Sequence, residues 1–170
     1  MSLTKHPRKV ADLGATNLGL LMADRITSQS RSRNMAAIRG KDTGPELMVR
    51  KAMHARGYRF RLHCKDLPGQ PDIVFSKFKA VIWINGCFWH GHSCGAARIP
   101  LTRVDYWAPK IERTRARDAA VKQAIQLMGW RSLTIWECSL RGRGALGVES
   151  VVEMASNWLA GGIETSEISR

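Results

Sequence analysis

Between residues 87 and 94 the chain reads Cys87-Phe88-Trp89-His90-Gly91-His92-Ser93-Cys94, and a further cysteine, Cys138, lies far downstream. Cysteine thiolate and histidine imidazole are the usual ligands of tetrahedral zinc. Cys87, His92 and Cys94 are close enough for one loop to wrap an ion, with Cys138 arriving just after Trp136-Glu137. His90 is an alternative ligand on spacing alone. A site filled by three cysteines and a histidine has no open position, so its zinc would be structural and would pin the loop after one strand to the end of another. The plainer reading is buried free cysteines beside incidental histidines. A second signal is Pro71-Asp72 opening an apolar run, with a further run from Ala80 to Asn85 behind it. A carboxylate at a strand start can hold Mg²⁺ at a scissile phosphate, and Mg²⁺ accepts few protein ligands, so one carboxylate and one backbone carbonyl can suffice. Taken alone, Pro-Asp is also common turn chemistry.

The elements that would carry these residues are legible in part. Thr43-Gly44-Pro45-Glu46 has the spacing of a capping box, followed by Leu47, Val49, Ala52 and Met53 and ended by Gly57. Tyr58 to Leu62 alternates apolar residues with arginine, which predicts a strand. Leu67-Pro68-Gly69-Gln70-Pro71 is a turn, and the runs 72–75 and 80–84 predict a hairpin in the middle of a sheet. A long helix is expected from about Pro109 to Met128, burying Ile111, Ala116, Ala119, Ala120, Ala124, Ile125 and Met128, with Gly129 as its stop. Arg131 to Trp136 reads as a strand and Val148 to Leu159 as a last amphipathic helix. The order implies an α/β fold with a mixed sheet. Trp83, Trp130, Trp136 and Trp158 belong to strand or helix patterns and are expected in the core, and Cys64 reads as an ordinary free thiol.

At 170 residues, the chain suits one domain, or one domain with a tail. No apolar run approaches the ~20 residues that span a bilayer, and no convincing signal peptide is visible, so a cytoplasmic location is expected. The formal net charge is +13. Residues 34–142 hold 19 basic and 8 acidic side chains, against 6 and 2 in residues 1–33 and 2 and 4 in residues 143–170. The excess therefore sits in the body of the fold, which points to a polyanionic partner, nucleic acid above all. A basic protein without any anionic partner is the bland alternative.

Together these strings resemble the very-short-patch repair (Vsr) DNA mismatch endonucleases. The resemblance rests on Leu67-Pro68-Gly69-Gln70-Pro71-Asp72-Ile73-Val74 and on Gly86 through Cys94. It extends to Arg33-Asn34-Met35, Asp42-Thr43, Thr102-Arg103, Tyr106-Trp107, Gly129-Trp130-Arg131 and the run from Trp136 to Gly142. It covers roughly residues 31–160, leaving 1–30 as a basic N-terminal arm and 161–170 as a C-terminal tail. It implies a restriction-endonuclease-like α/β core with a mixed central sheet, flanking helices and a structural Zn²⁺, acting on double-stranded DNA as a Mg²⁺-dependent nickase 5′ to the T of a T·G mismatch. By position, Asp72 resembles the Mg²⁺-binding carboxylate, with the Ile84 carbonyl as second ligand. His90 resembles the general base, and Glu46 a helix-borne carboxylate that contacts metal-bound water. Cys87, His92, Cys94 and Cys138 resemble the zinc ligands. Phe88, Trp89 and Trp107 resemble aromatic residues that wedge into the base stack, with Met35 approaching from the other groove.

Each role has a plainer counterpart. Glu46 can simply close the capping box, Phe88 and Trp89 can be core residues, and Trp107 can be a staple preceding a helix. The chain also departs from the family pattern, carrying Ile84-Asn85 where the well-studied form has Thr-His. The carbonyl of Ile84 survives that change, and Asn85 can donate a hydrogen bond where the histidine stood. The rival functional readings are a restriction-like or mobile-element nuclease on paired DNA and a zinc-stabilised DNA-binding module without cleavage. No oligomer signal is present, and a monomer suits an asymmetric mismatch.

Overall fold

The computed structural model describes residues 29–30, 33, 40–161 and 165–170. The chain divides into two units, Met1–Ile38 and Arg39–Arg170. In the first, Gln29, Ser30 and Arg33 are helical, and Met35 lies outside the described residues. The second unit contains the fold that follows.

Helix α1 spans Gly44–Ala55. Glu46 closes its N-terminus as the sequence predicts: its carboxylate accepts the backbone N–H of Thr43 at 3.4 Å and the Thr43 hydroxyl at 2.9 Å. Strands β1 (Ile73–Phe75) and β2 (Ala80–Asn85) form an antiparallel hairpin. Helix α2 (Val104–Leu127) then crosses to β3 (Arg131–Trp136), which pairs parallel with β2. A single turn, α3 (Glu137–Leu140), and helix α4 (Val148–Ala160) precede β4 (Thr165–Ile168), parallel to β3. The result is a mixed four-stranded sheet in the order β1-β2-β3-β4.

The strands are apolar on both faces, as befits a sheet covered on both sides. One face buries Ile73, Phe75, Ile82, Ile84, Leu133 and Ile135 together with Val49 and Met53 of α1 and Val151, Val152 and Trp158 of α4. The other buries Val74 and Val81 against Ile125 of α2, with Trp83 and Trp130 partly buried beside them. Cys64 joins that second core as a buried free thiol.

Several expectations need correction. Tyr58 to Leu62 does not form a strand. β1 has only three residues, so the segment keeps one bridge, Arg61 to Val74, while Tyr58 and Phe60 pack on the core. The hairpin occupies one end of the sheet, because parallel pairing of β2 with β3 leaves β1 without a further named strand beyond it. Helix α2 starts at Val104, so Trp107 lies inside its first turn and Pro109 follows within the helix. Its buried side is narrower than the alanine pattern suggests: Ile111 and Ile125 are buried, while Ala116, Ala119, Ala120 and Met128 are exposed. Within the segment expected as a C-terminal tail, Thr165–Ile168 forms β4 and extends the sheet by hydrogen bonding to β3.

Candidate active site and metal centre

Strands β2 and β3 run parallel with Asn85 opposite Trp136, so both end at the same level of the sheet. Two residues beyond each end stand Cys87 and Cys138, which the register alone therefore brings face to face. The loop from Gly86 curls tightly, with the His92 N–H donating to the Cys87 carbonyl at 2.9 Å and the His90 N–H to the Gly86 carbonyl at 3.2 Å. It thereby returns His92 and Cys94 to the same point. The ligand atoms of Cys87, His92, Cys94 and Cys138 all lie within 4.8 Å of one another. Sulfur ligands of a tetrahedral zinc at 2.3 Å would stand about 3.8 Å apart, so donor chemistry and spacing both fit such an ion. The four cysteines of the chain are free thiols. Burial pushes the Cys87 thiol up to about 12, with neighbouring Cys94 and Cys138 adding to the rise. A bound cation reverses that logic, because a coordinating thiol is deprotonated. Burial also holds His92 below the ordinary histidine range, favouring the neutral form that ligates metal. Its ring stacks on Trp136, 4.3 Å between centroids and 19° from parallel.

His90 leaves this cluster for a different partner. Its Nδ1 is 2.5 Å from Oδ2 of Asp118 on α2. Burial opposes ionisation of Asp118, but the hydrogen bonds from His90 and Arg117 overcome it and hold the carboxyl below its usual range. A carboxylate on one ring nitrogen fixes tautomer and orientation and leaves Nε2 for chemistry. Gly91 makes the turn between His90 and His92 possible. Its φ is +63°, and a Cβ there would lie 2.5 Å from Ile111 and 2.9 Å from Arg115 of α2. The loop is thus seated directly on the helix that supplies Asp118.

Asp72 precedes β1 at the far side of β2. Its Oδ2 accepts the Ile84 N–H at 2.8 Å. The N–H and C=O of an extended residue point toward the same neighbour, so the Ile84 carbonyl faces the Asp72 side of the strand. Burial raises the Asp72 carboxyl to about 6; the Ile84 hydrogen bond opposes the rise and nearby Glu46 adds to it. The preceding turn packs on α2 as well: Gly69, with φ +71°, leaves only 2.4 Å between an added Cβ and Val121. Asn85, buried at the end of β2, lines a cleft of about 330 Å³ with His90, His92, Arg115, Asp118 and Lys122.

Glu46 is buried, which a surface capping residue need not be. Besides capping α1, it accepts the Asp42 N–H at 3.0 Å and pairs with Arg50 at 2.5 Å. Phe88, Trp89 and Trp107 are half-buried and pack edge to face on one another, with centroids 5.0 Å apart for Phe88–Trp89 and Phe88–Trp107 and 5.8 Å for Trp89–Trp107. Tyr106 flanks Trp107 at 5.0 Å, and the Lys110 ammonium lies 5.4 Å from the centroids of both Tyr106 and Trp107. The rings therefore form a group of their own outside both sheet cores.

Sequence reasoning missed Asp118, Arg50 and His63. Asp118 was within reach: Ile111, Thr114, Asp118, Val121 and Ile125 follow helical spacing, and all five are at least partly buried. Arg50 stands four residues after Glu46 on one helix face. His63 carried no local signal.

The family model described as DNA mismatch endonuclease Vsr matches residues 23–96. Among curated relatives, a type II nicking enzyme of Xanthomonas oryzae pv. oryzae, V.XorIIP, is 50% identical over 125 residues, covering 74% of this chain and 92% of that protein. The DNA mismatch endonuclease Vsr of Escherichia coli is 39% identical over 140 residues, covering 82% and 90%. The type II nicking enzyme V.NmeAIP of Neisseria meningitidis is 40% identical over 122 residues, covering 72% and 87%. With identities this high over nearly the full length of these proteins, the chain belongs to the Vsr DNA mismatch endonuclease family.

Proposed function

We propose that this endodeoxyribonuclease nicks one strand of double-stranded DNA 5′ to the T of a T·G mismatch, in a Mg²⁺-dependent reaction that repairs deaminated 5-methylcytosine. The observation that carries the reading is the pairing of His90 with Asp118 directly beside the Phe88–Trp89–Trp107 ring group. It sets a positioned base next to side chains suited to probing a base stack. Asp72 and the Ile84 carbonyl would hold Mg²⁺, which when bound neutralises charge developing on the scissile phosphate. His90 takes the proton of the attacking water, and Asp118 steadies the imidazolium that forms. Glu46 orders water at the metal side, and Asn85 donates a hydrogen bond to the phosphate or the leaving group.

Cys87, His92, Cys94 and Cys138 would hold structural Zn²⁺, so that Cys87 fixes the aim of Phe88, Trp89 and His90 as one rigid segment. Phe88, Trp89 and Trp107 enter the stack, offsetting the few kcal/mol of unstacking. Mismatched steps yield more easily, so deformability contributes to selection. Met35 is assigned the opposite groove. The basic body carries phosphate contacts, and the protein acts as a monomer in the cytoplasm. Among the described residues no helix is long and apolar enough to cross a membrane.

The test is nicking of a T·G duplex against its matched counterpart, with and without Mg²⁺, over a panel of flanking sequences. Selective, Mg²⁺-dependent nicking 5′ to the T is expected. Equal cleavage of matched DNA would favour a restriction-like nuclease, and binding without cleavage a DNA-binding module.

A further inference from the structure

Trp136 closes β3 and adjoins the metal-type cluster without supplying a donor to it. It is buried together with Cys87 and Cys138, with Cys94 packed beside them, and its ring carries His92 in a near-parallel stack. One indole therefore shares a cluster with the three thiols and supports the imidazole. The backbone of Trp136 is fixed by its pairing with Asn85 and by the Ser139 hydroxyl, which donates to its carbonyl at 2.7 Å. The ring is held from a different element, β4. Glu167 lies opposite Thr134 in the parallel register, on the face that Trp136 shares two residues further on. Its Oε2 accepts the indole N–H of Trp136 at 3.0 Å, and its Oε1 accepts from the Lys122 ammonium on α2 at 2.8 Å.

We propose that Glu167 is a positioning residue of the metal centre: by holding the Trp136 indole N–H it sets the plane on which the ligand His92 stacks, and so sets how tightly the centre retains its ion. The inference rests on the reading of Cys87, His92, Cys94 and Cys138 as ligands of Zn²⁺. Trp136 is buried, and a buried N–H that loses its acceptor is costly. Without Glu167 the ring gains by turning toward water, away from the stack that lies 19° from parallel on His92. Outer-shell partners orient the ligands of a metal, and their removal typically costs roughly 10–100-fold in metal affinity. The ion pair with Lys122 is the lesser contribution, because the Glu167 side chain is half exposed and solvent screens the attraction. Glutamine keeps an oxygen for the indole and should therefore replace glutamate with little loss. A strand far from the Cys87–Cys94 loop in the chain would in this way steady the segment that carries Phe88, Trp89 and His90.

The experiment measures the zinc affinity of the full-length, zinc-loaded protein by competition with a colorimetric chelator. Glu167→Ala should weaken zinc retention by roughly 10–100-fold, and Glu167→Gln and Lys122→Met by less than about threefold. In a Trp136→Phe background, which has no indole N–H to satisfy, adding Glu167→Ala should cost less than about threefold more, since the two residues act through one contact. Retention in Glu167→Ala equal to wild type, a Glu167→Gln variant as weak as Glu167→Ala, or an undiminished loss in the Trp136→Phe background overturns the inference while leaving zinc on its four ligands. If Trp136→Phe does not fold, Lys122→Met decides: a loss equal to that of Glu167→Ala assigns the effect to the ion pair and overturns the inference as well. A wild-type chain that holds no zinc, or one that holds it equally well after Cys138→Ala, refutes the zinc assignment itself, and the inference falls with it.

Discussion

Asp72 holds a carboxylate where burial disfavours its charge, so its conservative replacement should separate activity from stability. The carboxyl titrates near 6 in the folded protein against 3.8 for an unperturbed side chain. Between those values the folded state binds more protons than the unfolded state, and stability therefore falls as pH rises through the window and levels off above it. At about 1.4 kcal/mol per pH unit, the full effect is ~3 kcal/mol. Asp72→Asn removes the charge and keeps an oxygen to accept the Ile84 N–H. In magnesium-free buffer at pH 8 the variant should be more stable than wild type by up to ~3 kcal/mol, shrinking toward zero near pH 4. Urea unfolding of both proteins at several pH values measures this, and the difference between them cancels zinc-site protonation common to both. The same variant should lose Mg²⁺-dependent nicking. A variant no more stable than wild type at pH 8, or one with the same pH slope, would refute the argument that burial governs Asp72.

Three further outcomes follow from the geometry. Cys138→Ala should lower the zinc content from one per chain and reduce the melting temperature by roughly 10 °C or more, as losing about 4 kcal/mol would in a domain of this size; folded wild-type protein without zinc by elemental analysis contradicts the site. His90→Ala should slow nicking by roughly 10²–10⁴ while leaving zinc bound, and Asp118→Asn should slow it in the same direction by disturbing the imidazole; zinc lost from His90→Ala would make His90 a ligand. Trp89→Ala should weaken binding to T·G duplex by ~1–3 kcal/mol and spare matched duplex together with its salt dependence; equal losses in binding curves for the two duplexes would make Trp89 purely structural.

Short-range order was readable because its causes are neighbours in the chain. The Thr43–Glu46 cap, the turn from Leu67 to Pro71 and the runs that became β2 and β3 depend on residues a few positions apart. The same holds for the Cys87–Cys94 loop, whose crowding of ligand-type residues is itself a local fact. Short strands escaped this logic. Tyr58–Leu62 alternates correctly and still forms a single bridge, whereas Thr165–Ile168, with Glu167 and exposed Thr165, forms a strand because β3 offers it an edge.

The site itself was assembled by contacts between distant segments. Nothing near Cys138 in the chain says that it faces Cys87; the parallel register of Asn85 with Trp136 does. Asp118 became the partner of His90 only when α2 was laid across the sheet and the Gly91 turn was pressed onto Ile111. Trp107 met Phe88 and Trp89 through the same docking of α2. Arg50 was visible as a helix neighbour of Glu46, but its hold on His63 required the segment after α1 to fold back beside Asp72. Residue type and local spacing set which chemistry the chain can perform. Strand register and helix docking bring His90 within 2.5 Å of Asp118 and the four metal-type ligands within 4.8 Å of one another, because hydrogen bonds and burial act between surfaces that meet only in the folded chain.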